Sequence, residues 1–382
     1  MDKILTNVAG TFLIQADASF LNGAGLGEGE DRNVTIPKTF KDGKDNVPYV
    51  SSQAWKRWLR NTCLEENPNW PKSELKAIGL SERGTTNKIS GELNPVEYPE
   101  DDIFGYMKAE KGQGKRKDEA EDSEGIEKST EDNKVKENKT KSVMRNSPFA
   151  ASLLVSIRKS GWKGKDEGFV HLKEGTPQPY TTEFYNAHLQ GVFSLCYARL
   201  GVFSNLGDRI ELDEGKVDEF IKGNKLRVVD DKDNLGKVYE TVPNSRKNRA
   251  STLLNALSVL RGGAKQAQFG TDVSPKVLIL AGLNCGNPIF NHIFNDAKEG
   301  PEVKIDTLKE IIKDYADRLV TPVYLGIRKG YLKNESEVYA LNGSDVGASN
   351  PTEENNATGE NKVKIIVTTP IEAAQKMAGE LK

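Results

Sequence analysis

Cysteine and histidine are scarce in this chain of 382 residues, which contains three of each. Cys63, Cys196 and Cys285 stand far apart, and none has the Cys-x-x-Cys spacing of a zinc module. This usage argues against a disulfide framework. Runs of about eighteen apolar residues are absent, and the N-terminus has no charged segment followed by an apolar run. We therefore expect a soluble, cytoplasmic protein that does not bind a membrane.

Motifs for catalysis are also missing. The glycine-rich stretch 21–27 lacks the spacing of a dinucleotide fingerprint, and a Gly-Lys-Ser/Thr ending of a phosphate loop does not occur. The acidic pairs Asp101-Asp102 and Asp230-Asp231 are expected in solvated turns, where adjacent side chains face apart. The histidines lie in separate predicted elements and never at ligand spacing; they are His171, His188 and His292. We expect no catalytic residue, no metal and no cofactor.

Basic residues are concentrated although the formal net charge is only −2. Residues 46–64, 138–165 and 245–271 contain three, seven and five basic residues, respectively, and no acid. The rest of the chain therefore carries a net charge of −17. A nearly neutral protein with this distribution can have a cationic groove and an acidic surface elsewhere.

Hydrophobic periodicity predicts an α+β protein with the element order βαββαβ, the split βαβ arrangement of ferredoxin-like folds. The predicted elements are strand 8–20, helix 51–65, strands 149–157 and 189–203, helix 246–261 and strand 276–283. Further helices are predicted near 73–77, 214–221 and 303–319, and a last strand at 363–369 is followed by a helix from Pro370. The stretch 334–361 is predicted to have little regular structure.

The segment 108–145 differs from the rest of the chain. Twenty-one of its thirty-eight residues are charged and none is aromatic. Such a segment buries too little apolar surface to offset the entropy lost on ordering its backbone. We predict a disordered or mobile insertion of mixed charge.

The first candidate for anion binding is the start of helix 51–65. Ser51 or Ser52 can cap this helix, and its first amides and positive dipole end suit a phosphate. Gln53, Lys56 and Arg60 share one helix face. The alternative is an ordinary amphipathic helix with a solvated basic face.

The second candidate is the loop that follows helix 246–261. Gly262 and Gly263 allow backbone amides to approach an anion, while Arg261 and Lys265 supply charge and Gln266 supplies hydrogen bonds. A helix C-cap followed by a polar loop explains the same residues without a ligand. A nucleotide-using enzyme with this loop as its phosphate site is a remote third possibility.

Four stretches resemble one known family. Val-Ser-Ser-Gln-x-x-Lys-Arg at 50–57 looks like the signature after the first strand of the Cas-seven family, the backbone subunits of type I CRISPR Cascade complexes. Phe-Gly-x-Met at 104–107, the strand within 145–159 and Gly-Gly-Ala-Lys-Gln at 262–266 agree with it. The match is closest to the DevR-like branch of the RAMP superfamily.

The resemblance implies an RRM-like palm with inserted finger and thumb segments. Residues 1–66 would form the first part of the palm and 67–148 a finger insertion that includes 108–145. Residues 149–205 would hold the central strands, with a thumb insertion at 158–182. Residues 206–295 would add the second helix and last core strand, and 296–382 would complete the palm. The aromatic RNA-binding motif of the RRM itself is absent, so base stacking on the sheet is not expected.

The function implied is that of a structural, non-enzymatic subunit. It would polymerise along guide crRNA, present the guide for pairing with target DNA, and contact other copies of itself and other Cascade subunits. The implied RNA contacts are Ser51, Ser52, Gln53, Lys56, Arg57, Arg60, Arg145, Lys159, Lys163, Arg261, Gly262, Gly263, Lys265 and Gln266. Trp162 or Phe169 would be the thumb residue that separates bases. The alternative is a RAMP-type endoribonuclease that processes CRISPR RNA. Cleavage by a loop aspartate, as in backbone subunits of another CRISPR class, is also open, because Asp17 and Asp31 flank the predicted loop.

Overall fold

The computed structural model describes residues 3–27, 33–80, 86–91, 94–108, 143–158, 163–170, 173–242, 245–297, 299–348 and 361–382. Most of the predicted mobile insertion 108–145 lies outside these ranges. Within the described residues, no helix is both long and apolar enough to span a membrane.

The described residues form eight α-helices and many short strands. The helices are α1 (Ser52–Glu66), α2 (Pro99–Phe104), α3 (Glu214–Lys222), α4 (Ser245–Ser258), α5 (Gln266–Phe269), α6 (Ile305–Asp314), α7 (Glu335–Tyr339) and α8 (Pro370–Glu380). The strands are β1 (Asn7–Ser19), β2 (Gly23–Leu26), β3 (Val34–Pro37), β4 (Thr39–Asp42), β5 (Asp45–Val50), β6 (Leu75–Leu80), β7 (Thr86–Gly91), β8 (Tyr106–Lys108), β9 (Val143–Arg145), β10 (Phe149–Ala151), β11 (Leu154–Ser156), β12 (Lys163–Val170), β13 (Gln178–Leu195), β14 (Val202–Leu206), β15 (Arg209–Ile210), β16 (Leu226–Asp231), β17 (Gly236–Thr241), β18 (Val277–Leu283), β19 (Phe294–Ala297), β20 (Gly300–Val303), β21 (Val323–Ile327), β22 (Asp345–Ala348) and β23 (Asn361–Thr368).

One large sheet organises the chain. Its strands follow the order β22-β23-β21-β18-β1-β13-β11-β5-β4. The four strands of the predicted βαββαβ unit are neighbours at its centre, in the order β18-β1-β13-β11, and every pair among them is antiparallel. The central pairing is continuous, with Val8 opposite Leu195 and Gln15 opposite His188.

The helices α1, α4 and α8 cover one face of this sheet. Trp55 of α1 is fully buried and meets the rings of Phe12 and Phe149 edge-on, with centroids 5.4 and 5.7 Å apart. Its indole N–H donates to the Ser152 carbonyl at 2.7 Å, so this buried donor has a hydrogen-bond partner. Leu253 and three further leucines of the second predicted helix fill the same core.

The opposite face is covered by a second core. Because side chains alternate along a strand, Ile14 and Ala16 point to the first core while Leu13 points to the second. Leu308 and Ile312 of α6 pack there. The sheet is therefore buried on both faces, which explains why β18 is apolar throughout.

The mixed α and β content predicted from the sequence is confirmed, with local corrections. Strand 189–203 ends at Leu195, because the chain turns through a 3-10 segment and Gly201 has φ 68°. The helix near 73–77 is wrong, since β6 begins at Leu75. The stretch 334–361 was predicted to be irregular, yet it contains α7 and β22.

A smaller six-stranded sheet, in the order β16-β17-β14-β15-β9-β8, lies beside an ion cluster. Asp102 is fully buried and contacts the guanidinium groups of Arg145 and Arg249, the latter at 2.5 Å. Asp102 precedes the charged insertion and Arg145 ends it. The cluster therefore fixes both ends of that insertion to α4. Asp101 and Asp102 are not in solvated turns as predicted, since both are buried at the start of α2.

Candidate nucleic-acid interface

Ser51 occupies the N-cap position of α1, as the sequence predicts, but its side chain makes no capping hydrogen bond. Its own N–H donates to Oδ1 of Asn22 at 3.1 Å, which ties the helix start to the loop after β1. The first amides, those of Ser52 and Gln53, have no acceptor within the helix. The first turn also contains no acidic residue. The first turn of the helix therefore supplies no counter-charge to the positive end of its dipole.

A basic groove runs along the outer side of α1. The cleft has a volume of about 450 Å³ and is lined by Gln53, Lys56, Arg57, Arg60, Asn61, Leu64, Lys72, Phe104 and Gly105. Gln53 and Arg57 are exposed. Partial burial lowers the pKa of Lys56, whose amino group lies 6.0 Å from the centroid of the Phe149 ring. The predicted basic face of the helix is therefore the wall of a groove.

Arg60 is not a free cation in this groove. Its Nε contacts the carboxylate of Glu100, and its Nη2 lies 3.9 Å from Asp101. Glu100 is 1% exposed and also accepts the backbone N–H of Ser73. The two acids from α2 share the charge of Arg60 and fix its direction. Arg60 is therefore already paired with acids at the position where the sequence predicts a phosphate contact.

The glycine loop packs against the inner side of α1. Gly262 has φ 146°, and a Cβ at this position would collide with the Trp58 ring. Gly263 has φ 111° and lies against Leu21, whose carbonyl accepts the N–H of Ala264 at 2.9 Å. Only glycine combines these dihedral angles with this closeness. The loop is thus fixed beside the connector 21–22, which also holds the start of α1.

Lys265 directs its charge to the surface between this loop and a hairpin. It adopts the left-handed conformation with φ 52°, and its Nζ donates to Oγ1 of Thr182 at 2.5 Å. The same amino group lies 5.3 Å from the centroid of the Phe20 ring. Gln266 donates from its side chain to the Gly262 carbonyl, which closes the loop on itself. Neutral partners leave the charge of Lys265 uncompensated at this contact.

The hairpin of β12 and β13 continues from the loop. Its strands pair from Lys163 opposite Tyr185 to Val170 opposite Gln178. At its base, Phe184 and Phe269 of α5 lie with ring centroids 5.8 Å apart. Near its far end Phe169 is 64% exposed. A long β-hairpin with an exposed aromatic side chain thus occupies the predicted thumb segment.

The predicted contacts fall into two sets that the structure places on different sides of α1. Gln53, Lys56, Arg57 and Arg60 line the groove, whereas the glycine loop meets Trp58 on the inner side. The start of α1 connects the two sets through Asn22 and Leu21. The start of α1, the glycine loop and the base of the hairpin form one continuous surface. We call it the α1–loop–hairpin surface.

Three basic candidates are placed differently from the prediction. Arg145 is 1% exposed, its Nη1 lies 3.3 Å from Glu211, and its guanidinium carbon lies 4.4 Å from the centroid of the Phe203 ring. Arg145 is therefore buried and ion-paired in this chain, and not exposed as the predicted RNA contact requires. Arg261 is exposed but pairs with Glu65 and Glu66, and Lys163 pairs with Glu183 at 2.9 Å. Lys159, Trp162, Asp31 and His171 lie outside the described residues.

Five residues that line the groove were not among the predicted contacts: Asn61, Leu64, Lys72, Phe104 and Gly105. Lys72 lies in a segment rich in proline and asparagine, outside the basic windows, and Phe104 belongs to the Phe-Gly-x-Met stretch, for which no contact was predicted. Both approach α1 by tertiary packing, so local pattern carries no signal for them. His188, for which no role in a site was predicted, is hydrogen-bonded, with its Nδ1 3.0 Å from the Tyr331 hydroxyl. Among the described residues, no group of three or more histidine, cysteine, aspartate or glutamate side chains could hold a metal ion.

Comparisons with known proteins give structural neighbours but no sequence relatives. The chain matches no protein-family model and no curated protein. It is similar to a chain of a solved "CRISPR RNA-guided surveillance complex", with 12% identity, a TM-score of 0.47, and coverage of 98% of this chain and 99% of that chain. A second chain, from a "CRISPR RNA-guided surveillance complex, pre-nicking", has 12% identity and a TM-score of 0.49 and covers 98% and 100%.

Proposed function

We propose that this chain is a structural RNA-binding subunit of a CRISPR surveillance complex of the Cascade type. In this proposal the unit β1-α1-β10/β11-β13-α4-β18 is an RRM-like palm of the Cas-seven family. The strand order β18-β1-β13-β11 and the two helices on one face support that interpretation, together with the four sequence stretches that resemble the family.

The observation that carries the proposal is the α1–loop–hairpin surface. It offers backbone amides at the start of α1 that have no acceptor within the helix, and a glycine loop that requires two positive φ values. It also offers the amino group of Lys265 beside Thr182. Such groups contact a sugar–phosphate backbone without reading bases. A single strand of guide RNA would lie on this surface and extend into the basic groove of Lys56, Arg57 and Lys72.

The hairpin has a separate role in the proposal. Phe169 is largely exposed, so its aromatic ring contributes little to the hydrophobic core of this chain. Such a ring is able to stack on a base of single-stranded RNA. In a row of copies, the hairpin of one copy would reach the RNA held by its neighbour, and the guide between contacts would remain free to pair with target DNA.

Light scattering tests assembly directly. Purified protein is mixed with single-stranded RNAs of increasing length, with and without EDTA. The proposal expects the bound mass to rise in steps of one protein chain while the RNA stays intact. A single bound copy at every length contradicts the role in a filament. Cleavage of the RNA would instead support the RAMP-type endoribonuclease.

Two double variants distinguish RNA binding in the groove from a general effect of net charge. Arg57→Ala/Lys72→Ala removes two basic side chains of the groove, whereas Lys309→Ala/Lys313→Ala removes the same charge from the exposed side of α6. The first pair is expected to weaken binding equally for all RNA sequences, because phosphate contacts carry no sequence information. Equal weakening by both pairs would show that only net charge matters.

A further inference from the structure

A second polar cleft lies on the sheet face opposite to the basic groove. It has a volume of about 640 Å³ and opens between the end of β1, the middle of β13 and the segments 299–301 and 328–331. Gln15 and Asp17 line it, whereas the alternating residues Ile14 and Ala16 are in the core under α1. Its volume falls within the usual range of small-ligand sites. The proposed RNA path does not reach it.

The cleft contains basic groups that differ in their partners. Arg158 pairs with Asp296 at 3.1 Å, and Lys276 pairs with Asp272 at 2.5 Å. Arg328 and Lys329, side by side after β21, form no ion pair within the part of the chain that is described. Two positive charges are thus available to a ligand.

Groups that are able to bind hydroxyls line the same cleft. Asp17 accepts a hydrogen bond from the Gln15 amide at 2.5 Å and keeps further acceptor capacity. Nδ1 of His188 is engaged with Tyr331, which fixes the ring and leaves Nε2 for another partner. Burial and the nearby Arg158 lower the pKa of His188, so its ring is neutral at pH 7. Oδ1 of Asp296 is buried and has no hydrogen-bond partner among the described atoms.

We propose that this cleft binds one sugar–phosphate unit of a single-stranded RNA, at a site separate from the α1–loop–hairpin surface. Arg328 and Lys329 would hold the phosphodiester, and Asp17 and His188 would bind the ribose hydroxyl. The charge balance favours a diester, because Asp17 and Glu299 also line the cleft. A multiply charged free phosphate would meet these two carboxylates, whereas a diester carries one charge and brings hydroxyl donors that the carboxylates accept.

Photocrosslinking of the full chain to RNA that contains 4-thiouridine tests this site. Peptide mapping is expected to give one set of crosslinks near 51–61 and 262–266 and a second set at 328–331. Arg328→Ala/Lys329→Ala should abolish the second set and leave the first unchanged. Lys309→Ala/Lys313→Ala, with the same change in charge, should leave both unchanged.

The two sets of crosslinks fail independently of each other. Loss of only the first set would contradict the proposed function, and absence of only the second would overturn the inference drawn here. Single-stranded DNA of the same sequence should crosslink less at 328–331, because it lacks the 2′-hydroxyl. If inorganic phosphate alone displaces the RNA from 328–331 at equal concentration, the cleft is a free-phosphate site and the inference is wrong.

Discussion

The salt dependence of RNA binding distinguishes this structure from the sequence pattern alone. Four basic side chains that line the proposed path lack a charged partner among the described residues: Lys56, Arg57, Lys72 and Lys265. Each neutralised phosphate of a single strand adds about −0.7 to the slope of log affinity against log salt, so these four give about −2.8. The affinity should therefore fall about fiftyfold between roughly 50 and 200 mM salt.

The sequence alone predicts eight basic contacts, and with them a slope of about −5.6. The two counts differ because Arg145 is buried and Arg60, Arg261 and Lys163 are paired with acids. Lys159 lies outside the described residues and is not counted, whereas Lys72 is added by its place in the groove. The assay is fluorescence anisotropy with an RNA short enough for one copy of the protein, measured over a series of salt concentrations. Arg57→Ala/Lys72→Ala should reduce the slope by about 1.4. A slope near −5.6 would show that the paired cations exchange their acids for phosphates and would refute the reasoning.

Three further predictions concern stability and loop geometry. Asp102→Asn leaves two buried arginines without their shared carboxylate, so the free energy of unfolding, measured in urea, should fall by about 3–5 kcal/mol; Asp317→Asn, in an exposed ion pair, should change it little. Gly262→Ala forces a Cβ into the Trp58 ring at a φ of 146°, which costs at least about 1 kcal/mol and should weaken RNA binding in the anisotropy assay. His188 has a pKa below its usual 6.5, so the unfolded state binds its proton first and stability declines as pH falls below that value. His188→Gln should remove this contribution, and the gap between urea midpoints of the native protein and the variant should shrink on going from about pH 7.5 to about pH 5.5. A gap that stays constant would refute the assignment.

The elements that were predicted correctly are those with strong local patterns. Helix α4 has leucines at helical spacing, and β18 is a continuous apolar run, so each is visible within its own window. The end of β13 was predicted too far along, because the residues beyond Leu195 are still mostly apolar although the chain turns there through a 3-10 segment and Gly201. The short strands β6 and β22 have weak patterns, and pairing with their partners, not propensity, determines them.

The site was predictable where backbone conformation alone is decisive. Gly262 and Gly263 signal a loop that needs positive φ, and both have it. The helix start at Ser51 follows equally from local sequence. Lys72 was missed, because proximity to α1 depends on how the segment between α1 and α2 folds back.

The arginines that were predicted to contact RNA but are paired with acids show why a run of basic residues is a weak signal for an RNA site. The acids that neutralise them lie elsewhere in sequence: Glu100 is forty residues from Arg60, and Glu211 is sixty-six from Arg145. A window that contains no acid therefore does not show that its cations are free. Burial adds a further selection, since a buried guanidinium must keep its carboxylates to offset its desolvation. The cations that remain for the proposed RNA site are those whose partners are neutral, as with Lys265 and Thr182. Only the tertiary structure identifies them.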